Sequence, residues 1–130
     1  MRTSGFHRNS QIIRLRKRQI CMSAIESDCR MVKSRLDTGE SVLLLDCREQ
    51  DEWDRVHIDG ATLLPMSEIQ QRVGELEHHR GSEIIVYCHH GGRSLQVAMW
   101  LRHQGFSSAC SMSGGIDVWA QEIEYGMARY

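Results

Sequence analysis

The chain carries five cysteines, Cys21, Cys29, Cys47, Cys88 and Cys110. No two are spaced as CxxC, so neither a zinc site nor a dithiol redox motif is expected. Cys88 is set apart by its neighbours: Tyr87-Cys88-His89-His90-Gly91-Gly92-Arg93-Ser94. The apolar run Ile84-Ile-Val-Tyr87 precedes it, and Leu95, Ala98, Met99 and Arg102 follow at helical spacing. That places Cys88 between the end of a buried strand and the start of a helix. A helix N-terminus offers unpaired backbone N–H groups and about half a positive charge. Arg93 adds a full one. All three favour a thiolate, so the thiol pKa should fall below its free value of about 8.5. Gly91 and Gly92 should curl the chain at positive φ and bring amides toward an anion. Ser94 should cap the helix. The chemistry these residues suit is covalent catalysis by a sulfur nucleophile. The plainer reading, an inert cysteine packed at a strand end, does not account for the glycines and the arginine.

Other residues carry weaker signals. His89 and His90 either add positive charge when protonated or are exposed loop polars. Asp46 and Arg48 close the first apolar run of the body, at the same sheet edge as Cys88, where a local ion pair would cap the strand. Trp53 and Trp119 read as packing residues. Cys47 and Cys110 fall in predicted strands, where burial should keep their thiols protonated; service as a resolving cysteine is the alternative.

These residues must be positioned by alternating strands and helices. Ser23 to Glu26 fits a capping box, and Ile25, Cys29, Val32 and Leu36 recur at helical spacing, which predicts a helix over about 23–38 ending at Gly39. The run 42–45 reads as a strand buried on both faces. A short helix is expected over 48–55, a strand over 61–64, and a helix capped by Ser67 and carrying Ile69, Val73 and Leu76. A strand over 84–87, a helix ending at Gly105, a weak strand over 108–112 and a last helix over 116–123 complete the order. Alternation of this kind predicts an α/β class with a parallel sheet.

Length and charge bound the rest. The 130 residues suit one domain. Residues 1–20 hold Arg2, Arg8, Arg14, Arg16, Lys17 and Arg18 and no acid, whereas residues 21–130 hold ten basic and seventeen acidic side chains, a formal −7. An acidic body gives no reason to expect nucleic-acid binding. No apolar stretch approaches the ~20 residues needed to span a bilayer, so neither a membrane nor a secretory route is expected, and the cysteines are read in a reducing, cytoplasmic setting. The basic head has three readings: a leader or upstream start with Met22 as the natural one, an organellar transit segment, or an arm for an acidic partner. The expected organisation is a basic extension over 1–20, a domain over 21–125 and a tail over 126–130.

The loop Cys88-x-x-Gly91-x-Arg93-Ser94 resembles the active-site loop of single-domain rhodaneses. Three further stretches resemble that family in order: Leu44-Leu-Asp46-Cys47-Arg48-Glu49, His57-Ile-Asp-Gly60-Ala61, and Gly114-Gly-Ile-Asp-Val-Trp119. Asp59 stands where proline is usual and Cys47 where the family usually has an aliphatic residue. The resemblance, over about residues 20–123, implies a rhodanese-like three-layer fold of about five mostly parallel strands with helices on both faces. It also implies a sulfurtransferase. Cys88 would take sulfane sulfur from a donor such as thiosulfate, hold it as a persulfide on the 89–94 loop, and pass it to a thiol or cyanide, with Asp46 and Arg48 supporting the loop. No metal or cofactor is implied. The expected partners are a small anionic donor and a thiol acceptor, or a persulfide-donating protein. A persulfide carrier or a non-catalytic binding module is the rival from another class. A cysteine phosphatase or arsenate reductase is disfavoured, because such loops run Cys-x5-Arg and this one is a residue shorter.

Overall fold

The computed structural model describes residues 24–39 and 41–130. The basic extension, Cys21, Met22 and the Ser23 half of the expected capping box lie outside them. Five strands form one sheet: β1 (Glu26–Ser27), β2 (Val42–Asp46), β3 (Thr62–Leu63), β4 (Glu83–Tyr87) and β5 (Ala109–Met112). Their order is β1-β5-β4-β2-β3, and every pairing is parallel. The helices are α1 (Cys29–Asp37), α2 (Gln50–Arg55), α3 (Ile69–Arg72), α4 (Gly92–His103) and α5 (Gly115–Glu122), with a 3-10 segment over Val73–His79. None of those described is long and apolar enough to cross a membrane.

The period of two along each strand divides the core into two layers. Leu44, Ile85, Tyr87, Cys110 and Met112 point to one face and pack with Cys29 and Val32 of α1 and Ile116 and Trp119 of α5. Leu45, Cys47, Ile84, Val86, Cys88 and Ala109 belong to the other layer, with Ile69, Leu76, Val97 and Leu101. Strands covered on both faces are expected to be apolar throughout, which is why the runs at 42–45 and 84–87 carry no polar alternation. The result is the three-layer α/β arrangement that the sequence predicts.

The first helix differs from expectation. Residues 26–27 form an edge strand, not a first helical turn. Ser111 donates its N–H to the Ile25 carbonyl at 2.7 Å and Ser113 donates to the Ser27 carbonyl at 2.9 Å. Backbone pairing with β5 satisfies these groups, and Asp28 then caps α1, its Oδ1 accepting the Met31 N–H at 2.8 Å. Ile25, which shares the helical spacing, packs in the opposite layer from Cys29 and Val32. Ser67 likewise does not cap its helix; Glu68 holds the N-cap position, with no side-chain capping bond. The Ser67 hydroxyl donates instead to Glu49 Oε1 at 2.6 Å.

Candidate active site

Cys88 follows the last residue of β4, the middle strand of the sheet, and is 1% exposed. The next three residues turn the chain into α4. Gly91 is the helix N-cap with φ of 109°, a left-handed conformation that glycine takes without a Cβ penalty. A side chain there would also press on the Gly114 nitrogen, at 3.2 Å from its Cβ. Gly92, expected to share this conformation, is the first residue of α4 and is not among the positive-φ glycines. One left-handed residue suffices for the turn.

The turn aims donors at the sulfur. The Gly91 N–H reaches Cys88 Sγ at 3.0 Å and the Ser94 N–H at 3.3 Å. The Ser94 hydroxyl lies 3.4 Å from the sulfur. Ser94 is therefore no N-cap; it is the third residue of α4, and it gives the sulfur an amide, while its hydroxyl sits beside the sulfur and donates to the Gly91 carbonyl at 3.2 Å. Ser111 of β5 backs it, Oγ to Oγ at 2.7 Å and fully buried. A hydrogen bond from the Cys47 thiol is the largest influence lowering the Cys88 pKa; burial opposes it, and the Ser94 hydroxyl and the Ser94 and Gly91 amides reinforce it. The Cys88 thiol is held well below its ordinary range. Cys47 moves the opposite way, because its S–H is committed to Cys88 and because it is buried.

The far side of the loop is fixed by α5. The Ile116 N–H donates to the Cys88 carbonyl at 2.9 Å and the Asp117 N–H to the His89 carbonyl at 3.1 Å. Gly115 makes that approach feasible. A Cβ there would stand 2.5 Å from the Cys88 carbonyl oxygen and nearer still to that of His89.

Arg93 is paired with a carboxylate. Its guanidinium grips Glu52 of α2 in a fork, at 2.6 and 2.9 Å. That bond is the main reason the Glu52 carboxyl falls to about 2; burial opposes it, and the Tyr130 hydroxyl assists. Tyr130 donates to Glu52 Oε2 at 2.7 Å and accepts from Arg48 Nη1 at 2.8 Å. Arg48 in turn holds Asp46, Nη2 to Oδ2 at 2.6 Å and Nε to Oδ1 at 3.0 Å, and reaches the Val56 carbonyl at 2.7 Å. Both members of the Asp46–Arg48 pair are 0% exposed. Burial works against the Arg48 charge, but its bonds to Asp46 and Tyr130 prevail and keep the guanidinium protonated. Asp46 and Arg48 thus reach the loop through Tyr130, Glu52 and Arg93, and not by touching Cys88.

His89 is half-buried and stacks between His90 and Tyr130, with ring centroids at 3.8 and 3.9 Å. His90 is exposed, 3.9 Å from Asp117. Glu52, Ser111 and Tyr130 join the site without having been singled out, and Cys47 reaches it from just past β2. Only Glu52 had a local signal, an acid in a short helix just after the Asp46–Arg48 stretch. Among the described residues no group of three or more His, Cys, Asp or Glu is placed to hold a metal ion.

A profile of the rhodanese-like domain matches residues 29–122. A probable adenylyltransferase/sulfurtransferase, MoeZ of Mycobacterium tuberculosis, is 37% identical over 101 residues, which cover 78% of this chain and 26% of MoeZ. A sulfurtransferase of Allochromatium vinosum is 35% identical over 96 residues, covering 74% of this chain and 88% of that one. The crystal structure of a rhodanese-like domain protein from Staphylococcus aureus superposes with a TM-score of 0.69 at 24% identity, over 81% of this chain and 97% of the other. This chain spans about a quarter of the MoeZ length.

Proposed function

This chain belongs to the rhodanese-like domain family, which includes sulfurtransferases, and from that premise we propose that it transfers sulfane sulfur through a persulfide on Cys88. The observation that carries the reading is the convergence of the Gly91 N–H, the Ser94 N–H and the Ser94 hydroxyl on one sulfur at the start of α4. In the first step the Cys88 thiolate attacks the outer sulfur of a donor such as thiosulfate. The donor S–S bond breaks, and sulfite departs with the bonding pair. The outer sulfur remains on Cys88 as an anion, for which the same amides and the α4 dipole provide a fixed positive environment. In the second step an acceptor thiolate attacks that sulfur and leaves as a persulfide, with Cys88 the leaving group; cyanide leaves as thiocyanate. No general base is needed, because the nucleophile is already ionised.

Arg93 attracts the anionic donor, and Glu52 moderates that attraction by holding the guanidinium. Asp46, Arg48 and Tyr130 fix Glu52 in turn. The test is a thiosulfate:cyanide assay on wild type and Cys88→Ser, with intact mass and peptide mapping after brief thiosulfate treatment. One added sulfur atom on Cys88, with turnover abolished in Cys88→Ser, is expected. Retention of sulfur on Cys88 without turnover would favour a persulfide carrier. Absence of retained sulfur from any donor would favour a binding module.

A further inference from the structure

The ends of β2 and β4 bring a second sulfur to Cys88. The two strands run in register from Val42 and Glu83 to Asp46 and Tyr87. The Cys47 N–H continues the ladder onto the Tyr87 carbonyl at 3.1 Å, so Cys47 and Cys88 are the next pair along it. Neighbouring strands lie ~4.8 Å apart, and both residues belong to the same core layer, 0% and 1% exposed. We infer that Cys47 is a positioning residue for the nucleophile: it donates its S–H to Cys88 Sγ and confines the negative charge to that one sulfur.

The surroundings of the two sulfurs set which of them holds the proton. Cys88 already accepts two amides and stands at the positive end of α4, a helix of 12 residues. Cys47 shares its apolar layer with Cys88, a setting that disfavours an anion on either sulfur; the two amides and the α4 dipole tip the balance toward Cys88. The other charged groups that act on the pair are Asp46, adjacent in sequence to Cys47, and Arg93 of α4. Asp46 is bound to Arg48, and Arg93 to Glu52. Two thiolates side by side would repel, so the single proton of the pair stays on Cys47 and the charge on Cys88. The hydrogen bond from the Cys47 thiol is the largest of the influences that favour the Cys88 anion.

The consequence falls on both half-reactions of the proposed transfer, on which this role in turnover rests. Lowering the Cys88 pKa increases the thiolate available for attack and makes Cys88 a better leaving group when the acceptor takes the sulfur. The bond itself is tested without turnover. The thiolate of Cys88 is titrated by its ultraviolet absorbance, taken as the difference from Cys88→Ser, and by the pH dependence of alkylation mapped to Cys88. In Cys47→Ala the apparent pKa of Cys88 should rise by about one pH unit, a tenfold gain in proton affinity. Cys47→Ser, whose hydroxyl is a donor with a shorter reach, should recover part of that shift. Cys110→Ala removes a buried thiol from the opposite layer and should leave the titration unmoved. Circular dichroism and thermal midpoints establish that each variant is folded. An unchanged Cys88 titration in folded Cys47→Ala would overturn the inference, as would an equal shift in Cys110→Ala. A shifted titration in a protein with no sulfur transfer from any donor would support the Cys47 bond and refute the proposed reaction.

Discussion

Two polar clusters meet at the C-terminal edge of the sheet, and they handle charge in opposite ways. Around Cys88 the polar groups are neutral: two amides and a serine hydroxyl converge on a single atom, with the Cys47 thiol at the next position of the neighbouring strand. A few residues away, Asp46, Arg48, Glu52 and Arg93 carry full charges that are paired off, with Tyr130 bridging the pairs. A full cation beside the sulfur would also favour a thiolate, but here both guanidiniums are bound to carboxylates. Dipoles keep the sulfur ionised and leave its lone pairs facing neutral partners. The charged cluster serves position: a buried fork of Arg48 on Asp46 is rigid in two directions, as bidentate guanidinium pairs are. The difference teaches that the residues with the largest charges are not the ones hydrogen-bonded to the sulfur.

The comparison can be broken most directly at the sulfur itself. Cys88→Ser should abolish transfer while leaving the fold intact, and residual turnover above the uncatalysed rate in the thiosulfate:cyanide assay would remove the neutral cluster from the reaction. The next largest effect is on stability. Arg48→Ala leaves the Asp46 carboxylate buried and unpaired, which costs about 3–5 kcal/mol by analogy with other broken buried pairs. Urea unfolding should show it as a lower midpoint, and a loss below ~1 kcal/mol would place the pair in the class of surface bridges.

A smaller effect separates the clusters by pH. The Cys88 pKa is lowered in the folded chain, so between that value and the unfolded value of about 8.5 the unfolded state holds one more proton. Stability contributed by Cys88 is therefore present above the unfolded pKa and lost as pH falls toward the folded one. Unfolding free energy of wild type relative to Cys88→Ser should rise by about 1.4 kcal/mol per pH unit through neutrality. A flat difference between the two would mean that the thiol is not ionised in the native state. Glu52, held near 2 by Arg93, follows the same sign at a lower window: its stabilisation is complete above the ordinary carboxylate range and is lost only as pH falls toward 2.

The least expected change is in Glu52→Gln. It frees the Arg93 charge while leaving an amide in reach of Tyr130, so thiosulfate use should improve by a few-fold in KM, with little change for a neutral persulfide donor. Equal changes with both donors would make the pair purely structural.

What could be read from the chain depended on how local its cause was. The runs at 42–45 and 84–87 announce buried strands by composition alone, and the glycines, Arg93 and helical spacing after Cys88 announce a helix start aimed at a thiol. Residues 26–27 did not announce a strand, because their pairing with β5 is made by backbone groups 86 residues away, as between Ser113 and Ser27. Cys47 read as a buried strand cysteine; it is buried, but one residue past the end of β2. Its meeting with Cys88 follows from register, which no spacing along the chain encodes. Tyr130 was beyond reach for the same reason, since it meets Glu52 across 78 positions. Arg93 was read by its charge, and its partner then lay unseen on α2.

The bonds from Ile116 and Asp117 to the carbonyls of Cys88 and His89 also set an order of events during biosynthesis. The ribosome exposes Cys88 well before α5 exists, and until Gly115 docks, those two carbonyls lack their amide partners. A chain that stops short of residue 115 therefore leaves the Cys88 loop without its outer anchor, while the Gly91 and Ser94 amides that face the sulfur lie at the start of α4.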